Sequence, residues 1–257
     1  MSDKLKVMVS GCNGKMGRYV TELIDQSEDM EVLCGYDKVA REFQNFPVIE
    51  ADKGLSELED LELIPDMIID FSVPECSLNI VEFAAKHSIP VVIATTGFTE
   101  GQKEIIKAYS ADTRIFMSSN MSYVIAHVFV NLLRQIAPEL ADDFDIEVSE
   151  AHHNGKKDAP SGTAEMLVDA MKEAIHPAPE KVYGRKDKRK ANEIGIASLR
   201  GGNVVGIHTV HFFGENESFE LTHTAFSRKL FAEGALTAAR FLINQESPGL
   251  YNFDSMN

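Results

Sequence analysis

The stretch KLKVMVSGCNGKMG, Lys4–Gly17, decides the fold that we predict for this chain. Its apolar run before Gly11 is typical of a buried strand. Glycines then follow in the spacing Gly-x-x-Gly-x-x-Gly, and apolar residues continue at helical spacing, namely Met16, Tyr19, Val20, Leu23 and Ile24. In a strand–loop–helix unit, such glycines let the backbone approach a pyrophosphate, and the helix N-terminus attracts its charge.

An acidic residue at a suitable distance supports a dinucleotide site. Asp37 lies twenty residues beyond Gly17, at the end of a second predicted strand, where a ribose-binding acid is expected. The alternative is an ordinary glycine-rich turn, but strand, helix and acid together favour nucleotide binding. The candidate cofactor residues of this region are Gly11, Cys12, Asn13, Gly14, Lys15, Met16, Asp37 and Lys38.

The cofactor preference depends on Asp37 and Lys38. Asp37 would bind the ribose hydroxyls of NADH and repel the 2′-phosphate of NADPH. Lys38 can offset that repulsion, although a lysine lacks the bidentate geometry of an arginine. We therefore expect both NADH and NADPH to work, with NADH at least as good. The alternative is that Lys38 is a solvated surface residue.

Outward from this motif, strands alternate with helices up to about residue 122. The runs DMIIDFS, PVVIATTG and RIFMSSN are apolar on both faces, which predicts a parallel sheet covered on both sides, as in a Rossmann-type α/β fold. Ligands of such sheets bind beyond the carboxyl ends of the strands. Further cofactor candidates there are Ala94, Thr95, Thr96, Ser118, Ser119, Asn120 and Met121. These candidates lie in the segments ATTGF and SSNMS, and each segment, taken singly, is better explained as a polar loop.

The pattern changes in the second half of the chain. A helix is predicted over VIAHVFVNLLRQIAPEL, 124–140, followed by an alternating strand, FDIEVSEAHH, and another helix. Two alternating segments, 203–214 and 218–226, predict a hairpin. We therefore expect a smaller α+β domain with an antiparallel or mixed sheet. By pattern alone, the last helix, 231–243, could pack on either half.

The segment EAHHNGKKDAPSGTA, Glu150–Ala164, concentrates groups with useful chemistry. His152 and His153 end a strand, and adjacent residues point in different directions unless the backbone bends. Lys156 follows, and Ser161 can cap a helix that begins with Gly162 and Thr163. A lysine beside a helix N-terminus suits a carboxylate or phosphate, and a histidine can act as acid or base. The alternative is a capped helix with surface histidines.

Composition excludes several classes of function. The net charge of −15 disfavours a nucleic-acid binder, because phosphate contacts need clustered Lys and Arg. Three widely spaced cysteines predict reduced thiols, and the sequence shows neither a leader pattern nor an apolar run of membrane-spanning length. We therefore expect a soluble cytoplasmic protein that binds neither nucleic acid nor membrane.

A metal site is not expected either. His208 and His211 are three residues apart in a predicted strand, so they face opposite sides of the sheet. The basic run GRKDKRK, 184–190, is most simply a solvated loop; the weaker alternative is a patch that steers an anionic ligand.

These motifs together give a resemblance to a known family. From Val7 to about Phe253 the chain resembles the dihydrodipicolinate reductases, also called 4-hydroxy-tetrahydrodipicolinate reductases, of bacterial lysine and diaminopimelate synthesis. The motifs that carry the resemblance occur in the family's order: GCNGKMGR, DFSVPE, ATTGF, EAHHNGKKDAPSGTA, IGIASLRGG and GIHTVHF. The segment with the double histidine is the most specific of them.

The resemblance implies an activity and a set of roles. The family reduces a cyclic dicarboxylate with NADPH or NADH, delivering hydride to C4 of the ring with overall loss of water. His152 matches the catalytic acid, and Lys156 matches its partner, which also holds a substrate carboxylate. The implied substrate-binding residues are His153, Ser161, Gly162 and Thr163.

The resemblance also implies the organisation of the chain. Family proteins have two domains and usually form homotetramers through the substrate-domain sheets, and the C-terminal helix returns to the nucleotide domain. We therefore expect a dinucleotide-binding domain of residues 1–122 and 229–257 and a substrate-binding and oligomerisation domain of residues 123–228.

Two departures from the family pattern and two rival functions remain. Tyr123, Val124 and Ala126 replace the family's usual residues after the Asn-x-Ser segment, and Cys12 stands in the phosphate loop where alanine is common. One rival is another two-domain reductase or dehydrogenase, of the aspartate or homoserine kind, which should lack the double histidine with lysine and Ser-Gly-Thr. The other is a non-catalytic nucleotide sensor, which would bind NADH without turnover.

Overall fold

The computed structural model describes residues 4–40 and 45–256. These residues divide into two compact units. One unit contains the described residues up to Ser122 together with those from Lys229 onward, and the other spans Tyr123–Arg228.

A seven-stranded sheet forms the centre of the first unit. Numbered in chain order, its strands are β1 Leu5–Ser10, β2 Met30–Asp37, β3 Val48–Glu50, β4 Met67–Asp70, β5 Val91–Ile93, β6 Arg114–Met117 and β12 Gly249–Tyr251. They lie in the order β12-β6-β5-β4-β1-β2-β3, and every neighbouring pair is parallel. Every residue of β4 and β5 is buried, which explains their unbroken apolar runs. The prediction of a Rossmann-type parallel sheet is confirmed.

Helices accompany this sheet. They are α1 Lys15–Asp25, α2 Ser56–Asp60, α3 Pro74–His87, α4 Glu100–Tyr109 and α7 Lys229–Ile243, with a 3-10 turn at Phe253–Met256. The last helix, α7, packs against α1 and against β4, β5 and β6. Its Arg240 also forms an ion pair of 2.8 Å with Asp29. The helix that the sequence pattern could have placed on either half therefore belongs to the first unit.

The second unit has a mixed sheet of five strands. These are β7 Asp145–His152, β8 Glu180–Tyr183, β9 Glu193–Arg200, β10 Gly206–Phe213 and β11 Ser218–Ala225, in the order β11-β10-β7-β9-β8. Strand β10 pairs antiparallel with β7 and β11, whereas β9 pairs parallel with β7 and β8. The predicted hairpin and the predicted mixed sheet are both confirmed.

Two helices, α5 Val130–Leu140 and α6 Gly162–Ala174, cover one face of this sheet. Their apolar residues share a core with Ile146, Val148 and Val210 of the strands. Along β7, even-numbered residues are buried, and the buried face changes from apolar Ile146 and Val148 to polar Glu150 and His152. The core of the unit therefore passes directly into a polar site at the carboxyl end of β7.

Two sequence predictions need correction here. The helix predicted over 124–140 begins as a π-helix, Val124–Phe129, before continuing as α5. The basic run 184–190 is more than a solvated loop, because Arg185 pairs with Glu147 at 2.8 Å and Arg189 pairs with Asp145 at 2.6 Å. Spacing in the sequence could not reveal these pairs, because the acidic partners lie on a distant strand.

None of the helices in the described ranges is long and apolar enough to cross a membrane. Within the same ranges, no group of three or more His, Cys, Asp or Glu side chains is placed to hold a metal ion.

Candidate active site

The glycine loop after β1 is shaped by close backbone contacts. Gly11 has φ +72°, and a Cβ there would lie 2.6 Å from the carbonyl oxygen of Phe71. A Cβ on Gly17 would overlap the carbonyl oxygen of Gly11. Gly14 is the N-cap residue of α1, where no side chain caps the helix. The loop thus brings the first-turn amides of α1 to the carboxyl end of the sheet, an arrangement that fits a pyrophosphate.

Asp37 is fixed against this loop. One of its carboxylate oxygens accepts the backbone N–H of Asn13 at 2.8 Å, and the other accepts that of Lys38 at 2.7 Å. The side chain of Asn13 donates to the carbonyl oxygen of Val39 at 2.6 Å. Lys38 is exposed. The structure therefore brings the predicted acid and the predicted phosphate loop into direct contact, with Lys38 beside them.

The loops after β5 and β6 are ordered by buried polar contacts. Thr95 is buried and donates its hydroxyl to Asp70 at 2.9 Å, while Thr96 is exposed. The hydroxyl of Ser118 donates to the carbonyl oxygen of Asn120 at 2.7 Å. Ala94, Asn120 and Met121 are buried, and Ser119 is exposed. All of these residues lie at carboxyl ends of the same parallel sheet, as predicted.

Asp70 was not singled out from the sequence. It ends β4 completely buried, and it also accepts hydrogen bonds from the Ser77 hydroxyl and from the backbone N–H of Ser72. Its position inside an apolar run, MIID, was the available signal, because a carboxylate in a buried strand needs partners.

In the second unit, the two adjacent histidines contact different groups. His152 is the last residue of β7 and is buried, and its Nδ1 lies 2.6 Å from a carboxylate oxygen of Glu150. His153 lies beyond the strand, and Arg228 donates to its Nε2 at 3.1 Å. A turn follows, closed by the N–H of Lys156 bonding to the carbonyl oxygen of His153 at 3.1 Å. The predicted bend after the strand is therefore present.

Glu150 is the most heavily bonded side chain of this site. Besides His152, it accepts two hydrogen bonds from the guanidinium of Arg200, at 2.9 and 2.8 Å, and the backbone N–H of Ser161 at 3.2 Å. Burial opposes its ionisation, but the hydrogen bonds from Arg200, Ser198 and His152 outweigh burial and lower its pKa to about 2. Glu150 is therefore an anion at neutral pH.

Burial lowers the pKa of His152, although Glu150 acts in the opposite direction. His208 stands next to it on β10, with the ring centroids 5.1 Å apart. Burial, reinforced by the charge of His152, lowers the pKa of His208 to about 4. Both rings are thus held in an environment that penalises a positive charge.

The N-terminus of α6 carries the remaining predicted residues. Ser161 is the N-cap, and its hydroxyl accepts the N–H of Ala164 at 3.2 Å and contacts His208 Nε2 at 3.0 Å. Gly162 is exposed and Thr163 is half-buried. Lys156 forms an ion pair of 2.8 Å with Asp158. The predicted cap is present, but the hydroxyl of Ser161 is already engaged within the protein.

Comparison with known proteins gives two family models, which meet near the first boundary between the two units, at Ser122 and Tyr123. The family model described as dihydrodipicolinate reductase, N-terminus, matches residues 5–121, and the one described as dihydrodipicolinate reductase, C-terminus, matches residues 126–256. The chain belongs to the dihydrodipicolinate reductase family. The family prediction is confirmed.

Relatives of this reductase family align over nearly the whole chain. The protein from Caldanaerobacter subterraneus subsp. tengcongensis is 45% identical over 98% of this chain and 98% of its own length. The protein from Clostridium tetani is 40% identical over 98% of this chain and 96% of its own. Both are named 4-hydroxy-tetrahydrodipicolinate reductase. The chain is therefore an oxidoreductase that uses NADPH or NADH, as predicted.

Solved structures show the same reductase fold. A dipicolinate-bound dihydrodipicolinate reductase from Paenisporosarcina sp. TG-14 superimposes with a TM-score of 0.73 at 22% identity, covering 97% of this chain and 98% of that one. An aspartate dehydrogenase from Thermotoga maritima reaches a TM-score of 0.54 at 11% identity, covering 95% and 99%. The rival dehydrogenases thus share the fold, whereas both family models and the named relatives assign the chain to the reductases.

Four residues that the structure brings to the second-unit site were not predicted: Glu150, Arg200, His208 and Arg228. The first could have been found, because it lies two residues before His152 on the same face of one strand. The next two required the strand register, in which Arg200 pairs with His152 and His208 pairs with Glu150.

Proposed function

We propose that this protein reduces 4-hydroxy-tetrahydrodipicolinate to tetrahydrodipicolinate with NADPH or NADH, in the synthesis of lysine and diaminopimelate. The observation that carries the assignment to a site is the buried pair of His152 and Glu150, which lies on one unit with Lys156 and the N-terminus of α6. An acid, a cation and helix amides on one edge of a sheet suit a substrate that carries carboxylates and must gain a proton.

The first unit is the proposed dinucleotide-binding domain, residues 1–122 and 229–257. The amides from Gly11 to Met16 would hold the pyrophosphate, and Asp37 would bind the ribose. The close approach of Gly17 to Gly11, which leaves no space for a Cβ, fits a loop of this kind. When bound, NADPH or NADH supplies the hydride. The exposed Thr96 and Ser119 are the proposed contacts at the ends of β5 and β6.

The second unit, residues 123–228, is the proposed substrate domain. Lys156 and the amides of Gly162 and Thr163 would hold a substrate carboxylate. Lys156 now pairs with Asp158, whose side chain is 58% exposed, so that pair is weak enough to exchange for a substrate carboxylate. His153 would contact a substrate oxygen, and Arg228 adds positive charge beside it. This local cation cluster suits a dianion despite the acidic chain.

His152 is the proposed catalytic acid. Because its Nδ1 faces an ionised carboxylate, Nδ1 carries a proton in the neutral ring, and Nε2 is the atom that exchanges a proton with the substrate. The backbone of Gly206 lies next to Nε2, since a Cβ on that glycine would be 3.2 Å away. A larger residue at position 206 would therefore crowd this nitrogen.

We further propose that the protein is a cytoplasmic homotetramer without nucleic-acid partners. The face of the five-stranded sheet opposite α5 and α6 supports assembly, because Leu199 and Phe213 on that face are 58% and 43% exposed. Light scattering after size exclusion should give four chains for the wild type, and a smaller particle for Leu199→Asp. A monomeric wild type would remove the tetramer.

The activity is tested by generating the substrate in situ with its upstream synthase and following the absorbance of NADPH or NADH. Loss of the reduced cofactor that depends on both enzymes is the expected result. A folded protein that binds NADH but consumes none would instead be the nucleotide sensor.

A further inference from the structure

Among the described residues, three carboxylates hydrogen-bond a histidine: Glu150 with His152 at 2.6 Å, Glu59 with His87 at 2.7 Å, and Glu220 with His211 at 2.8 Å. The three pairs have similar distances but different surroundings. The side chain of Glu150 is fully buried, whereas those of Glu59 and Glu220 are 35% and 50% exposed. Charges interact far more strongly away from water, so Glu150 has the largest influence on its histidine.

We propose that Glu150 is a positioning residue for the reaction: it fixes the tautomer and orientation of His152 and ties that ring to the N-terminus of α6. The inference rests on the proposed function in one respect, namely that His152 is the acid. Glu150 itself acts through its neighbours rather than on the substrate.

The first part of the argument is the strand. Glu150 and His152 are two residues apart on β7, so both side chains leave the sheet on the same face. The carboxylate oxygen therefore lies beside Nδ1 without any loop to hold it there. An ionised carboxylate accepts only, so the ring must donate from Nδ1, and Nε2 is left for proton exchange. The geometry of the strand thus determines which ring nitrogen of His152 exchanges a proton.

The second part is Arg200. It pairs with His152 in the parallel register of β9 and β7, and its guanidinium binds both oxygens of Glu150. A bidentate pair of this kind fixes the plane of the carboxylate. Arg200 also donates to the carbonyl oxygen of Asp158, in the loop that carries Lys156. The guanidinium therefore holds Glu150 in one orientation and anchors the lysine loop to it.

The third part is the link to the helix. Oε1 of Glu150, which accepts from Nη2 of Arg200, also accepts the backbone N–H of Ser161, the N-cap of α6. The hydroxyl of Ser161 also lies 3.0 Å from Nε2 of His208. One carboxylate therefore sets the acid and the proposed anion-binding amides relative to each other, which is how positioning lowers a barrier.

The charges around His152 determine what removal of Glu150 would do. Burial lowers the pKa of the ring; Glu150 raises it, and Lys156 on the following loop and Arg200 on β9 lower it. His208 on β10 is a further titratable neighbour. Without the carboxylate, the influences that remain all oppose a charged ring. The doubly protonated ring of His152 should then lose a proton at a lower pH than in the wild type.

The kinetic test uses Glu150→Gln with Glu59→Gln as the matched control, since Glu59 also accepts from a histidine and a cation, His87 and Lys86. Glu150→Gln should lower kcat about 10- to 100-fold, a part of what general acid catalysis contributes, with little change in NADH affinity. As the pH rises, the kcat of Glu150→Gln should also begin to fall at a lower pH than the kcat of the wild type. Glu59→Gln should keep both the rate and the profile.

Glu150→Asp separates positioning from folding. It keeps the charge but shortens the side chain, so the pH profile should stay near that of the wild type while kcat recovers in part. An unchanged kcat in Glu150→Gln overturns the proposal. So does an equal loss in Gln and Asp variants without any change in pH profile, because that result means a structural role alone.

Nitrogen NMR of the histidine side chains tests the tautomer without turnover. In the wild type without substrate, neutral His152 should carry its proton on Nδ1, and the assignment can be made by comparison with His152→Gln. A ring protonated on Nε2 overturns the proposal even if the Gln variant fails to fold. A wild type with the expected tautomer but no reductase activity would instead remove the proposed function and leave the pairing intact.

Discussion

The two candidate sites of this chain are formed by different kinds of groups. In the first unit, the site consists of backbone turns and small side chains at the carboxyl ends of parallel strands, with Gly11 and Gly17 in direct backbone contact. In the second unit, it consists of ionisable side chains from three strands, centred on Glu150 and His152. A glycine loop is specified by neighbours in sequence, whereas a charge network is specified by strand register.

The difference predicts how each site fails. A backbone cradle binds by shape and amide direction, so an added carbon atom should damage binding. A buried charge network sets protonation and orientation, so loss of one side chain should damage turnover more than cofactor binding. Substitutions in the two units should therefore have separable effects on NADH affinity and on rate.

The largest effect is expected for His152→Gln. Glutamine has a similar polar reach but cannot deliver a proton as an acid, so kcat should fall about 100- to 10,000-fold. NADH affinity should stay nearly unchanged, because every proposed cofactor residue lies in the other unit. Steady-state rates and fluorescence titration with NADH measure the two quantities. Turnover close to that of the wild type would remove His152 as the acid.

Gly17→Ala should have the opposite pattern. A Cβ there would overlap the carbonyl oxygen of Gly11 and lie 2.6 Å from the Cα of Cys12, so the phosphate loop must shift. Such overpacking typically costs about 1–3 kcal/mol, which corresponds to a loss of NADH affinity of about 5- to 150-fold. Calorimetric titration of NADH gives the value.

Gly101→Ala is its control, because Gly101 lies in α4 and a Cβ there meets no atom within 4 Å. Equal NADH affinities of the two variants and the wild type would show that the loop between β1 and α1 does not hold the cofactor.

The features that could be predicted from the sequence, and those that could not, divide in the same way between local patterns and strand register. The glycine turn after β1, the position of Asp37 at the end of β2 and the parallel sheet were predictable, because their signals are local spacing and apolar runs. The edge strands β3 and β12 were missed, because neither lies in a continuous apolar run such as the one that marks the equally short β5. Arg200 was missed for another reason: fifty residues separate it from Glu150, and only pairing of β9 with β7 joins them.

The pH dependence of folding stability tests the environment of His208 in the second site. Its pKa is lowered from 6.5 to about 4 in the folded protein, so the unfolded chain binds a proton first as the pH falls. Folding stability is therefore lost between pH 6.5 and 4, by about 2 kcal/mol already at pH 5. His208→Gln, which can still bond Ser161, should lose correspondingly less stability on going from pH 6.5 to 5.

Denaturant unfolding at the two pH values measures this difference, with the exposed His176→Gln as a control that should behave like the wild type. The same loss of stability in His208→Gln and the wild type would mean that the buried ring does not titrate as proposed.

The smallest effect is expected at Lys38, in the first unit. Its side chain is exposed, and its backbone N–H binds Asp37. We expect the ammonium group of Lys38 to pair with a 2′-phosphate that Asp37 would repel. An exposed ion pair contributes about 0.2–1 kcal/mol, so Lys38→Ala should raise the Michaelis constant for NADPH about 1.5- to 5-fold. The constant for NADH, which lacks this phosphate, should barely change and serves as the internal control.

The NADPH penalty should shrink as added salt screens the pair. Equal changes for both cofactors, or none for either, would leave Asp37 as the residue that discriminates between them. A selective, salt-sensitive change would show that the charge of Lys38, and not that of Asp37 alone, sets the cofactor preference.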